Sequence, residues 1–156
     1  MFLRLKILGE YAAMNSLKAL SLVILAALAL SACGQKPAEP AVNANADVTT
    51  LLASADLKQG ERSFLQCRAC HSLNEGGINK VGPNLYGVFD SPAGQMEGFN
   101  YSEALLASGV VWDVQTMDDW LARPAELIPQ NRMVFVGIRD PQKRANLIAY
   151  LQQQTQ

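Results

Sequence analysis

Cys67-Arg68-Ala69-Cys70-His71 is the stretch that decides how this chain folds. Two cysteines three positions apart at the end of a helix project the same way, and a histidine follows at once. In this C-x-x-C-H spacing each sulfur can add to one vinyl group of a haem, forming two thioethers. The histidine then lies under the iron and offers a ring nitrogen as proximal ligand. The residues before the motif suit an amphipathic helix. Asp56 followed by Gln59 predicts a start with a reciprocal side-chain cap. Leu57, Gly60, Phe64 and Leu65 fall on one helical face.

Three other readings of the motif exist. A redox dithiol also uses C-x-x-C, but in a βαβ setting that this sequence does not predict. A closed zinc site takes four ligands. The domain offers Cys67, Cys70 and His71, one short of that set. A plain structural disulfide between Cys67 and Cys70 is the blandest option. Covalent haem attachment accounts for all three residues.

The third cysteine, Cys33, closes an uncharged run from Ala19 to Ala32. Spanning a bilayer takes roughly 20 apolar residues, so this run is short for it. Lys18 precedes it and small residues end it, the order of a secretory signal. Leu30-Ser31-Ala32-Cys33 followed by Gly34 resembles the lipobox of bacterial lipoproteins, in which the cysteine is acylated and becomes the first residue. The alternative is a plain cut near Ala32 that leaves a free thiol, a liability in an exported protein. Met1 and Met14 could each start the chain, and the compact Met14-Asn15-Ser16-Leu17-Lys18 is the better leader. Residues 1–32 are thus read as signal peptide. Residues 33–50 are read as the lipidated cysteine and an Ala-, Pro- and Asn-rich tether, with a reach on the order of 50 Å. Residues 51–156 are read as the domain.

Within that domain, Asn100 with Glu103 three residues on predicts a helix start, and Gly109 a stop. A helix is expected from Val114 to Ala122, with Val114, Met117, Trp120 and Leu121 on one face and Pro124 ending it. The last helix opens with Asp140 as cap and Pro141 in its first turn. Leu147, Ile148, Tyr150 and Leu151 form its apolar face. No stretch alternates with a two-residue period. Residues 72–99 carry many Gly and Pro, a long loop for a compact domain. The class is all-α, with long loops wrapped around something that is not protein.

His71 is the one histidine of the chain, so a second axial ligand must be another residue type. A methionine thioether is the usual alternative. Met117 lies on an apolar helix face, where methionine is commonly core filler. Met96 sits in a Gly-rich loop. Met133 follows the turn Ile128-Pro129-Gln130-Asn131-Arg132 and leads into Val134-Phe135-Val136-Gly137-Ile138. A loop methionine backed by an apolar run can press on iron without breaking a helix. Met133 is the preferred candidate, ahead of the other two and of an open position.

From about Leu57 to Gln153 the chain resembles the class I cytochromes c. The matching stretches begin with Gly60, Phe64 and Cys67 to His71. They continue through Gly82-Pro83-Asn84-Leu85, Gly94-Gln95, Gly98-Phe99 with Tyr101, and Trp112. They end with Ile128-Pro129, Met133-Val134-Phe135, Gly137-Ile138 and Leu147 to Leu151. The resemblance implies a small fold with crossed first and last helices, close at Gly60, around one covalent haem c. It implies His71 and Met133 as iron ligands and the Pro83 carbonyl as acceptor from the far nitrogen of His71. Tyr101 and Trp112 are implied as donors to a buried haem propionate. Asn131 stands where the family carries threonine and can still hydrogen-bond there. Ser91 replaces an arginine that helps neutralise a propionate. Trp120 replaces a tyrosine, and Leu105 a polar residue.

The resemblance implies a one-electron carrier, not an enzyme: no side chain is assigned acid–base or nucleophilic work. The partners it implies are redox proteins, an electron donor and an acceptor among membrane respiratory complexes. The lipid would hold the protein, as a monomer, on the periplasmic face of a bacterial membrane. The formal net charge is −1, so bulk electrostatics do not point to nucleic acid. From Leu51 onward there are nine Lys and Arg against eleven Asp and Glu. Docking by a strongly positive ring is not expected. Lys80, Arg132, Lys143 and Arg144 are candidates for a modest positive rim.

Overall fold

The computed structural model describes residues 47–156. The signal peptide, Cys33 and most of the expected tether lie outside the described residues. Among the described residues six helices form in order: α1 Val48–Leu52, α2 Leu57–Phe64, α3 Glu103–Leu106, α4 Val114–Ala122, α5 Pro124–Leu127 and α6 Pro141–Gln154. Among the described residues the sole β pairing is a bridge between Pro92 and Val111. The architecture is all-α.

Helix α6 is the hub, with α1, α2 and α4 packed on it. Its Leu147 and Ile148 are fully covered and Leu151 is 3% exposed. Burying each such side chain stabilises the fold by about 2 kcal/mol. Asp140 caps α6 by accepting from the Lys143 N–H, with Pro141 in the first turn. Trp112, Met117, Trp120, Leu121 and Ile128 complete the core.

Helices α2 and α6 cross where Gly60 faces Asn146 and Tyr150. A Cβ on Gly60 would lie 2.1 Å from the Asn146 carbonyl oxygen and 2.6 Å from Tyr150 Cβ. Only glycine allows this approach. Beside the crossing, the Phe64 and Tyr150 rings pack with centroids 5.8 Å apart.

Several local expectations are corrected. The tether does not extend to residue 50: Val48 and Leu51 of α1 are buried in the core, so the folded domain takes in the last residues assigned to the linker. Asp56 caps α2 through Lys58 and Gln59 N–H, but the cap is not reciprocal. The Asp56 N–H donates to Asn146 Oδ1 on α6 instead, at 3.0 Å. On α2 only Gly60 and Phe64 are buried; Leu57 and Leu65 are exposed. The cap of α3 is Ser102, accepting from Leu105 N–H, rather than Asn100. Pro124 ends α4 as expected and also opens α5.

Candidate functional site

Helix α2 runs straight into the C-x-x-C-H stretch. The Cys67 and Arg68 N–H groups donate to the Phe64 carbonyl, and the Cys70 and His71 N–H groups donate to the Cys67 carbonyl. These turns hold both sulfurs and the imidazole on one short coil. Cys67 and Cys70 are half-buried free thiols. Burial, with Cys70 adding to it, pushes the Cys67 thiol up to about 11.

His71 is oriented from behind. Its Nδ1 donates to the Pro83 carbonyl at 2.8 Å. That bond fixes the ring and leaves Nε2 as the nitrogen with a lone pair to offer. Burial holds His71 below the ordinary imidazole range; the Lys80 charge acts the same way and the Pro83 carbonyl opposes it. A neutral imidazole is the form that ligates a metal. Gly82 makes the cradle possible, since a Cβ there would lie 2.3 Å from His71 Cε1. The coil and the loop are further tied by Gly82 N–H on the Cys70 carbonyl at 2.9 Å. Lys80 Nζ donates to the Arg68 and His71 carbonyls.

The segment after α5 carries Met133. Asn131 Nδ2 donates to the Pro124 and Ile128 carbonyls, and its Oδ1 accepts from the Met133 N–H at 2.9 Å. Both amide protons are therefore taken by protein. Asn131 thus braces Met133. Met133 is half-buried and packs on the core. The run behind it alternates instead of pressing inward together. Val134 and Val136 are fully exposed, at 102% and 97%, while Phe135 and Ile138 turn in. Met117 is core, as its helix face implied. The Met96 N–H donates to the Tyr101 hydroxyl at 3.3 Å, which leaves the Tyr101 proton free to donate elsewhere. Burial raises the Tyr101 pKa and that bond opposes it.

Trp112 is buried and stacks at a tilt on Trp120, with centroids 5.3 Å apart. Its N–H and carbonyl are held by Ser91 and Asp90 backbone. The Ser91 hydroxyl donates to the Val88 carbonyl at 2.7 Å. Of the four expected rim charges, Arg144 is withdrawn: it is 12% exposed and grips Asp118. The sequence had placed Arg144 on a positive rim and offered no signal that pairs it with Asp118, 26 positions away.

Among the described residues no three His, Cys, Asp or Glu side chains converge on a possible metal position. Two thiols and one oriented imidazole on a single coil do fit a covalently attached haem.

Residues 57–155 match the family model described as cytochrome c. This chain belongs to the cytochrome c family. It carries haem c covalently and acts as an electron carrier. The chain is 43% identical over 101 residues to cytochrome c2 of Blastochloris viridis, covering 65% of this chain and 80% of that one. It is 43% identical over 103 residues to cytochrome c of Chlamydomonas reinhardtii, covering 65% and 92%. Among solved structures it is similar to cytochrome cH from Methylobacterium extorquens, with a TM-score of 0.59 and 42% identity. That match covers 64% of this chain and 99% of the other. Helix α1 precedes the residues matched by the cytochrome c model.

Proposed function

We propose that this cytochrome c shuttles single electrons between membrane-associated respiratory complexes from a lipid tether, with His71 and Met133 as its axial ligands. The observation that carries the His71 reading is the 2.8 Å bond from His71 Nδ1 to Pro83, which reserves Nε2 on the same coil that bears Cys67 and Cys70. Cys67 and Cys70 supply the thioethers. When bound, the haem supplies one-electron chemistry at its iron. This chain's residues hold it, orient it and exclude water. Pro83 and Gly82 set the His71 ring. Asn131 presents Met133. Tyr101 and Trp112 each have a polar hydrogen suited to a propionate. A thioether ligand and burial both favour the reduced state. No residue at the site is assigned acid–base or nucleophilic work, so the protein is read as a carrier and not an enzyme.

Residues 1–32 direct export, and Cys33 takes the lipid that keeps the monomer on the periplasmic face of a bacterial membrane. Tethering raises the effective concentration of its donor and acceptor. The test is visible spectroscopy of protein made with a haem-attachment system, beside Met133→Ala. The ferric parent is expected to show the weak red band of sulfur–iron ligation, and the variant to lose it. An unchanged low-spin spectrum in the variant overturns the ligand assignment. Colour extracted from the parent by acidic acetone overturns covalent attachment. A Cys33→Ser form that still takes up labelled fatty acid overturns the anchor.

A further inference from the structure

Arg144 uses its guanidinium twice. Nε and Nη2 donate to the two carboxylate oxygens of Asp118 on α4, at 2.7 and 3.0 Å. Nη1 donates to the carbonyls of Ile138 and Arg139, both at 3.0 Å. The two side chains are 12% and 10% exposed. A pair so desolvated is weak evidence for net stability, because the cost of removing both charges from water offsets most of the attraction. What a planar fork does well is fix direction, which the lysine ammonium does not. The direction fixed here is that of the far end of segment 131–139.

Ile138 N–H strengthens the same attachment by donating to the Leu121 carbonyl on α4 at 2.8 Å. At the near end, Asn131 ties the segment to Pro124 and Ile128. Between these two attachments the span bears Met133, a bond from the exposed Arg132 guanidinium to the Asn100 carbonyl, one short-range bond from Phe135 N–H to the Met133 carbonyl, and the outward Val134 and Val136. Met133 therefore rides on a strap pinned at both ends. Asn131 pins one end and the Arg144–Asp118 pair pins the other.

We propose that Arg144, held by Asp118, is a positioning residue for the Met133 sulfur: it latches the far end of the strap and so sets how often Met133 withdraws from the iron. This rests on the reading of Met133 as ligand. An external ligand competes only when the strap is open, so its apparent affinity scales with the open fraction.

The experiment titrates imidazole into the ferric holoprotein and follows loss of the sulfur–iron band. It compares the parent with Arg144→Met, Arg144→Lys, Asp118→Asn and Met133→Ala. Asp56→Ala, which removes the α2 cap far from the strap, serves as control for general destabilisation. Arg144→Met and Asp118→Asn are expected to tighten imidazole binding about tenfold or more, and Arg144→Lys by less, while Asp56→Ala stays within about threefold despite a lower Tm. If Arg144→Met does not fold, Asp118→Asn, which keeps the side-chain shape, carries the test. Unchanged affinity in Asp118→Asn and Arg144→Met, with Met133→Ala tightened, overturns the latch alone. An equal shift in Asp56→Ala also overturns it. Met133→Ala binding imidazole like the parent overturns the ligand reading and the latch with it.

Discussion

The Pro83 carbonyl oxygen lies 2.8 Å from His71 Nδ1, and the neighbouring Gly82 leaves room for the imidazole face. The two residues hold the ring by different means. Pro83 contributes through its backbone oxygen, which any residue possesses. Gly82 contributes by having no side chain.

Gly82→Ala should therefore be the damaging substitution and Pro83→Ala the mild one. A Cβ at residue 82 would lie 2.3 Å from His71 Cε1, so either the ring or the loop must shift. Overpacking of this kind costs about 1–3 kcal/mol. Pro83→Ala keeps the acceptor and should cost less than about 1 kcal/mol through a freer unfolded chain. Thermal melts of the two holoproteins rank them. NMR of the His71 ring should show the Nδ1 proton still bonded in Pro83→Ala. Equal damage from both would mean that the proline ring, not its oxygen, orients His71.

Gly60→Ala tests the helix crossing in the same manner. Its Cβ would meet backbone, the Asn146 carbonyl oxygen at 2.1 Å, and backbone cannot rotate aside. The loss should be at least about 2 kcal/mol, read as a lower denaturant midpoint. A near-neutral result would mean that α2 and α6 have freedom to separate.

Much of the fold was legible where a signal and its target lie within one turn. Asp140-Pro141 opened the last helix, and Val114–Ala122 formed over the span its apolar spacing implied. The coil of Cys67 and Cys70 followed from spacing alone, and the resemblance to cytochromes c supplied the Pro83 acceptor. Partners from distant sequence were not legible. The Asp56 N–H ignores Gln59 and donates to Asn146, ninety positions away. Leu57 and Leu65 share a face with Phe64 in projection, yet α6 covers only the part centred on Gly60.

Acid stability should depend on Asp113. This residue caps α4 by accepting from the Thr116 N–H at 2.7 Å and from the Thr116 hydroxyl at 2.9 Å. The Thr116 N–H and hydroxyl hold its carboxyl below the ordinary aspartate value of 3.8. A carboxylate depressed on folding adds stability that is present in full above the unfolded value. That stability is lost as pH falls through the folded value. Asp113→Ala should therefore melt lower than the parent at neutral pH, and the gap should close below about pH 4. Melts across that range check the sign. A gap that widens on acidification would remove Asp113 as the cap that matters.

Helix α1 gives the last test, because it lies ahead of the residues that the cytochrome c family model matches. Val48 is 4% exposed and lies within the core cluster, and Leu51 is 8% exposed. The Leu51 carbonyl accepts from Gln142 Nε2 at 3.3 Å, and Gln142 also donates to Asn146 Oδ1 at 3.0 Å. One short polar chain thus joins α1, α6 and the start of α2. Leu51→Ala should cost about 2–4 kcal/mol, as for a buried leucine elsewhere in a core. Gln142→Ala should cost about 1 kcal/mol, since one donor is removed from partly buried acceptors. If α1 belongs to the cooperative unit, both variants lower a single melting transition without splitting it. Loss of α1 in a separate, earlier transition, with the haem spectrum untouched, would return residues 48–50 to the tether.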